Sequence, residues 1–375
     1  MMFTQRYTSE TVVEAAERRI ADCFDLFDNV IVSISGGKDS TVLAYLAVKE
    51  AEKRQQKVGL FFLDEEVVYQ STIEQVEYLM KLSPKWINRL WLQVEFNLTN
   101  ATSLTETQLK CWEAGKHKLW MRSKGAGNIV APMWGSTPTI RDKRKGFGFY
   151  DVIENFERCF ERTAFLVGLR ATEGPNRFRA VTKNPVQVAG RSLFYGTARE
   201  RGSATLYPLY DWNFHDIWKF IYESGLKYSK IYDMQFRKGV PLAEARCSSL
   251  IHERSFKSLC ELPEFDPKTY AKLLKRIGGI AFAQETGKDR TSFAARKLPK
   301  GHKSWRGYRD FLLGTHPDAM AKEVFQKRFS KHLDNEFVAR QQCRQLILND
   351  YENNVPVSNE EDPRDALIAY YREVL

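Results

Sequence analysis

The chain has few of the residues that build staples, membrane spans or metal cages. Its six Cys are scattered along 375 residues with no Cys-x-x-Cys pair, so neither a disulfide framework nor an iron–sulfur cluster is expected. Six His stand apart from one another, and no His-Glu-x-x-His helix occurs. Apolar runs such as Asn29 to Ser35 and Val58 to Leu63 are strand-sized and far short of a membrane-spanning helix. The N-terminal stretch MMFTQRYTSETVVEAAERR carries acidic residues and no apolar core, which argues against a secretory signal. No internal repeat or low-complexity tract is found. What is present is a globular composition, 43% hydrophobic with 24 Phe, 16 Tyr and 8 Trp. The expectation is a soluble cytoplasmic protein that does not engage a membrane.

Formal charge is +10, and it is unevenly spread. Residues 287–331 hold 12 Lys/Arg against 4 Asp/Glu, and residues 177–201 hold six basic residues and one acidic. A third cluster is Arg141-Asp142-Lys143-Arg144-Lys145. Such stretches fit an anionic partner, nucleotide or nucleic acid, or else a solubilising surface. Within the first of them, Lys297, Lys300, Lys303, Arg306 and Arg309 surround Gly301 and Trp305. That grouping could follow a phosphate backbone and offer an aromatic face to a base.

The first third alternates strands and helices. Asn29 to Ile34 is a β-branched run with no polar face, as expected of a strand covered on both sides in a parallel sheet. Lys38 to Lys53 repeats its apolar residues with a helical period, Val58 to Leu63 is a second strand, Ser71 to Leu82 a helix and Arg89 to Phe96 a third strand. Thr163 to Gly168 continues the series, with Asn128 to Met133 as a further candidate. Strand–helix–strand units imply an open, mostly parallel sheet with helices on both faces and ligands beyond the carboxyl ends of the strands. The second half reads as mainly helical: Trp212 to Ser224 with Asn213 as cap and Asp216 in its first turn, then Tyr270 to Ile277, Trp305 to Gly314, Ala319 to His332 and Glu336 to Leu348. These patterns divide the chain into an α/β domain over 1–240, with an insertion at about 97–160, and a basic helical region over 241–375.

Chemistry concentrates in Ser35-Gly36-Gly37-Lys38-Asp39-Ser40, between the first strand and the first helix of the sheet region. Adjacent glycines let the backbone turn tightly and leave its N–H groups accessible, and the following helix N-terminus favours an anion. Ser35 and Ser40 can donate to phosphate oxygens, Lys38 adds charge, and Asp39 can hold a divalent cation such as Mg2+. A glycine-rich turn alone is a weak signal; here a buried strand precedes it and a helix follows. The Walker spacing is absent, since position 282 is Phe and residue 289 is Asp.

These six residues are similar to the PP-loop signature of the ATP pyrophosphatase superfamily. The resemblance implies an adenine nucleotide alpha hydrolase-like fold that cradles ATP and cleaves it between its α and β phosphates. Further segments resemble the phosphoadenosine phosphosulfate (PAPS) reductase branch: Leu63-Asp64-Glu65-Glu66, whose acidic residue would lie near the nucleotide, and Val167-Gly168-Leu169-Arg170-Ala171-Thr172-Glu173. The block from Tyr207-Pro208 through Trp212 to Trp218, then Tyr228 and Tyr232-Asp233, resembles the branch as well, with Trp212 and Trp218 expected to pack behind the site. Arg170 and Arg177 would stabilise charge on the α-phosphate or the leaving pyrophosphate, with Glu173 orienting either.

The chain departs from that branch in one respect. PAPS reductases use a cysteine in a Glu-Cys-Gly-x-His segment near the C-terminus, and neither Cys260 nor Cys343 lies in such a context, so sulfonucleotide reduction is not expected. Instead, Glu244 to Ser255 and Cys111 to Arg122 resemble the immunoglobulin-binding regulator A subgroup of bacterial prophages, which acts with a ParB-like partner. Cys247 and His252 are too few for a metal site, and Cys111 reads as a buried structural thiol. The expected activity is adenylation of an unknown acceptor with release of pyrophosphate. The alternatives are a regulatory co-activator that binds adenine nucleotide, or a sulfur-transfer enzyme acting on DNA or tRNA.

Overall fold

The computed structural model describes residues 8–103, 106–125, 148–182, 185–242, 245–247, 249–252, 256–281, 283, 298–350, 353 and 357–360. The chain divides into two compact units. One holds the described residues of Met1–Glu95, Arg122–Ile140 and Phe149–Cys247, and the other those of Phe96–Met121, Arg141–Gly148 and Ser248–Leu375. The insertion read at about 97–160 is therefore shared between the two. The basic loop Arg141 to Lys145, the strand candidate Asn128 to Met133 and residues 287–297 with Lys297 lie outside the described residues. Among the described residues no helix is long and apolar enough to cross a membrane.

In chain order the elements begin with α1 (Val12–Leu26), β1 (Asn29–Ser33), α2 (Lys38–Arg54), β2 (Val58–Leu63), α3 (Gln70–Leu79) and β3 (Ile87–Leu92). The short strands β4 (Phe96–Thr99) and β5 (Gln108–Cys111) belong to the second unit. The first unit resumes with α4 (Phe149–Glu157), β6 (Thr163–Val167), α5 (Pro175–Thr182), β7 (Val186–Val188), β8 (Arg191–Leu193), β9 (Gly196–Ala198) and β10 (Ala204–Leu206). Two helices close it, α6 (Phe214–Glu223) and α7 (Ile231–Arg237).

Six strands form one sheet in the order β3-β2-β1-β6-β10-β9, parallel throughout except for the edge strand β9. Every residue of β2 is buried, which explains its unbroken apolar sequence. Alternate residues serve opposite faces. Val30, Val32, Leu60, Phe62, Ala164 and Leu166 share a core with α1, α2, α3 and α6. Phe61 points the other way and stacks on Phe156 of α4 at 3.8 Å between centroids, with Phe165 edge-on to Phe156. Helices thus cover both faces, as the strand pattern implied. The α6 cap also forms as expected: Asn213 accepts from the His215 and Asp216 amides, and Asp216 reaches back to the Asn213 amide at 2.8 Å.

Register decides what meets at the ligand edge. Ser33 of β1 lies opposite Phe61 of β2 and Val167 of β6. The segments that leave these three strands, Ser35–Ser40, Asp64 and Gly168–Arg170, therefore emerge side by side at the carboxyl end of the sheet.

The second unit pairs β4 with β5 antiparallel and is otherwise mainly helical, with helices Phe256–Phe265, Pro267–Arg276, Trp305–Gly314, Ala319–Phe329 and Glu336–Ile347. Asp318 caps its helix and also accepts from Thr107 at 2.8 Å. The basic residues of Trp305–Gly314 are spent on neighbouring carboxylates. Arg306 meets Glu336 at 3.2 Å, and Arg309 meets Asp334 at 2.7 Å and Gln342 at 3.1 Å. The Arg340 guanidinium sits over the Trp305 ring at 5.9 Å.

Candidate functional site

β1 extends its ladder by one further bond, Ile34 N–H to Phe61 C=O at 2.8 Å, and then turns sharply at Ser35-Gly36. Gly36 has φ +72°, and a Cβ there would lie 2.9 Å from both Cγ2 and the carbonyl oxygen of Thr72 in α3. Both conditions exclude a side chain. Ser40 closes the turn: its hydroxyl accepts from the Ser35 amide at 3.2 Å and donates to the Gly37 carbonyl at 3.0 Å. Gly37 is the N-cap of α2 and offers no side chain to the helix's first amides; the first of these, that of Lys38, is instead taken by the Tyr232 hydroxyl at 3.0 Å. Gly168 packs on the loop from β6, where a Cβ would fall 3.0 Å from the carbonyl carbon of Asp39 and the amide nitrogen of Ser40.

Charge converges on Asp39. Lys38 Nζ lies 3.1 Å from Asp39 Oδ2, and Arg170 Nε pairs with Asp39 Oδ1. Arg170 also donates to Glu173 at 3.1 Å, whereas Arg177 approaches Glu173 only to 3.7 Å and is largely exposed. Lys38 and Arg170 are each 5% exposed, so burial places both cations within the fold rather than on its surface. Arg170 is fixed from behind: the Ala171 amide donates to the Tyr210 carbonyl at 2.8 Å, and Arg19 of α1 clamps Pro208 and Asp211 at 2.7 to 2.8 Å.

Asp64 stands on the same edge in a different state. It is fully buried and accepts from the Glu66 amide at 3.0 Å, Trp91 Nε1 at 2.9 Å, Gln93 Nε2 at 2.9 Å and the Arg122 guanidinium. Two donors on each oxygen nearly fill its acceptor capacity, so the carboxylate works as a hub that anchors the 122–125 segment to the sheet.

The six-residue loop, Gly168, Arg170 and Glu173 are thus brought together, Asp64 is committed inside, and Arg177 lies at the rim. Three neighbours of the loop are not assigned to the site by the sequence reading, although Tyr232 falls in the block that resembles the branch. Tyr232 of α7 accepts the Lys38 amide on its hydroxyl at 3.0 Å. Cys247 sets its sulfur 3.7 Å from the Ser35 carbonyl, and a Cβ on Gly37 would meet that sulfur at 3.3 Å. Thr72 packs under Gly36. Burial pushes the Cys247 thiol up to about 11 and the Tyr232 phenol well above its usual range, so both stay protonated at neutral pH. Tyr232 and Cys247 lie about 200 residues from the loop in sequence, and no local pattern joins them to it. Trp212 and Trp218 do pack behind the site: Trp212 donates to the Val12 carbonyl at 3.0 Å, and Trp218 meets the Tyr232 ring edge-on at 5.2 Å.

The donor set for Mg2+ is poor. Asp39 is one carboxylate already shared by two cations, and no cluster of three or more His, Cys, Asp or Glu suited to a metal occurs among the described residues.

The family model of the phosphoadenosine phosphosulfate reductase domain matches residues 29–239, more than half of the chain. The protein belongs to that family. Residues 239–351 match a second model, a domain of unknown function (DUF3440). The chain is 27% identical over 323 residues to an uncharacterized protein of Escherichia coli K12, YbdN, covering 84% of this chain and 78% of that one. Among solved structures it resembles a PAPS reductase from Candida auris in a phosphate complex, with a TM-score of 0.34 and 14% identity over 62% of this chain and 94% of that one. It also resembles the U34-tRNA thiolase NcsA of Methanococcus maripaludis, with a TM-score of 0.32 and 13% identity over 76% and 82% of the two chains. Both structural likenesses are distant.

Proposed function

We propose that the protein binds ATP through its phosphates at Ser35–Ser40 and cleaves it between the α and β phosphates, passing the adenylyl group to an acceptor and releasing pyrophosphate. The observation that carries this reading is the meeting of a glycine turn at an α2 N-terminus that has no side-chain cap from Gly37 with two buried cations, Lys38 and Arg170, that share Asp39. Attack at the α-phosphorus breaks the bond to the β-phosphate oxygen, and negative charge collects on the departing pyrophosphate. Positioned backbone amides, an ammonium and a guanidinium stabilise that charge without a protein nucleophile. Asp39 keeps the two cations apart from solvent and from each other's repulsion until an anion arrives. The test is product analysis. AMP and pyrophosphate formed from ATP by wild type and lost in Lys38→Ala support the reading; ADP and phosphate, or no turnover with any acceptor class, oppose it.

A second reading rests on Cys247. A thiol beside the loop could lose its proton and attack the sulfur of PAPS, breaking the S–O bond to the nucleotide and releasing adenosine 3′,5′-bisphosphate, as the reductases do with a different cysteine; a dithiol would then reduce the cysteine S-sulfonate to free sulfite, itself becoming a disulfide. Burial holds this thiol protonated, which disfavours attack at neutral pH. Sulfite released from PAPS with a dithiol, and abolished in Cys247→Ser, would establish this reading in place of the first.

A further inference from the structure

α7 bears on the loop through two residues one turn apart. Tyr232 touches Lys38 at both ends: its hydroxyl accepts the Lys38 backbone amide at 3.0 Å, and the Lys38 ammonium lies 5.6 Å from the centre of its ring. Gln235 grips the following strand of chain with its amide. Its Nε2 donates to the Arg246 carbonyl at 2.8 Å, and its Oε1 accepts from the Arg246 amide at 2.9 Å. That pair of hydrogen bonds fixes the backbone next to Cys247, whose sulfur lies against Gly37. Tyr232 is itself held by Trp218, and it is 3% exposed. The first orphan amide of α2 is thus satisfied by a side chain from the far end of the unit, not by a cap of its own.

We propose that Tyr232 is a positioning residue of the phosphate loop, acting through Lys38 to set where the loop's amide and ammonium stand before an anion binds. This rests on the reading that Ser35–Ser40 binds phosphate. The phenol oxygen is the acceptor that keeps the Lys38 peptide in its helical orientation. The ring face keeps the ammonium near Asp39 and away from solvent, and the protonated hydroxyl adds no negative charge beside a polyanion.

The experiment uses the full chain and inorganic pyrophosphate, titrated calorimetrically into wild type, Tyr232→Phe, Lys38→Ala and Tyr228→Phe. Tyr228 supplies a matched loss of hydroxyl, since its own bonds to Asp233 at 2.9 Å and not to the loop. Hydrogen exchange at the Lys38 amide is followed in parallel. Tyr232→Phe should weaken pyrophosphate binding about fivefold, one hydrogen bond's worth, and speed exchange at Lys38 while the rest of α2 is unchanged. Tyr228→Phe should match wild type. If Lys38→Ala weakens binding but Tyr232→Phe does not, or if the two tyrosine variants weaken it equally, the inference falls and the loop reading stands. If wild type binds neither pyrophosphate nor ATP, both fall together.

Discussion

In the sheet unit Lys38 and Arg170 are buried and meet the same carboxylate, Asp39. In the helical unit Arg306 is half exposed; it pairs with Glu336 and shares Asp334 with Arg309. The first arrangement holds two buried cations on Asp39 and Glu173 beside a loop with no side chain at two successive positions. The second balances charge at a surface where water screens most of what remains. Among the described residues, the buried cations Lys38 and Arg170 thus lie away from the largest surplus of positive residues in the sequence. Burial raises the worth of each interaction, and the proposed site rests on the smaller, buried cluster.

That contrast can be broken most directly at Arg170. Arg170→Ala should cut ATP cleavage on the order of a hundredfold or more, measured as pyrophosphate release, because the buried donor proposed to meet the developing charge is lost. Gly36→Ala comes next. A left-handed residue pressed on Thr72 should cost roughly 2 kcal/mol in urea unfolding and lower pyrophosphate affinity at least tenfold. Asp64→Asn tests the neighbouring hub. Leaving the Arg122 guanidinium without its carboxylate should destabilise the unit by about 3 kcal/mol while pyrophosphate affinity changes little; a large loss of affinity in a folded variant would return Asp64 to the binding surface.

The pH behaviour of Cys247 sharpens the picture further. Its folded value near 11 exceeds the usual 9.0, so the protonated thiol is the form that folding favours. The matching stability is fully present below about pH 9 and is lost as pH rises towards 11. Alkylation of Cys247, read by peptide mass spectrometry, should climb steadily with pH without a plateau below pH 10. A plateau near pH 8 would instead mark an activated thiol. The smallest effect is expected in the helical unit. Arg306→Ala should change its stability by less than about 1 kcal/mol, and a larger drop would show that its ion pairs are less solvated than their exposure indicates.

Much of this was legible beforehand. The all-apolar run of β2, the helical period of α2 and the capping residues of α6 are local signals, and each element forms within a few residues of its expected place. The short strands β9 and β10, three residues each, carry too little pattern to be read that way, and α7 is only two turns long. Asp64 shows a subtler gap: the sequence marks an acidic residue at a strand end, but only packing reveals that Trp91, Gln93 and Arg122 have claimed it.

The sequence by itself determined the sheet, the glycine turn and the charges that turn carries, because strand burial, left-handed backbone and helix caps are set by residues close together in the chain. Only the tertiary structure decided which residues attend the loop. Parallel register brings the ends of β1, β2 and β6 to one edge, and α7 then carries Tyr232 onto Lys38 from nearly 200 residues away. A hydrogen bond across that separation leaves no periodicity or spacing to read, since its geometry is fixed by packing alone.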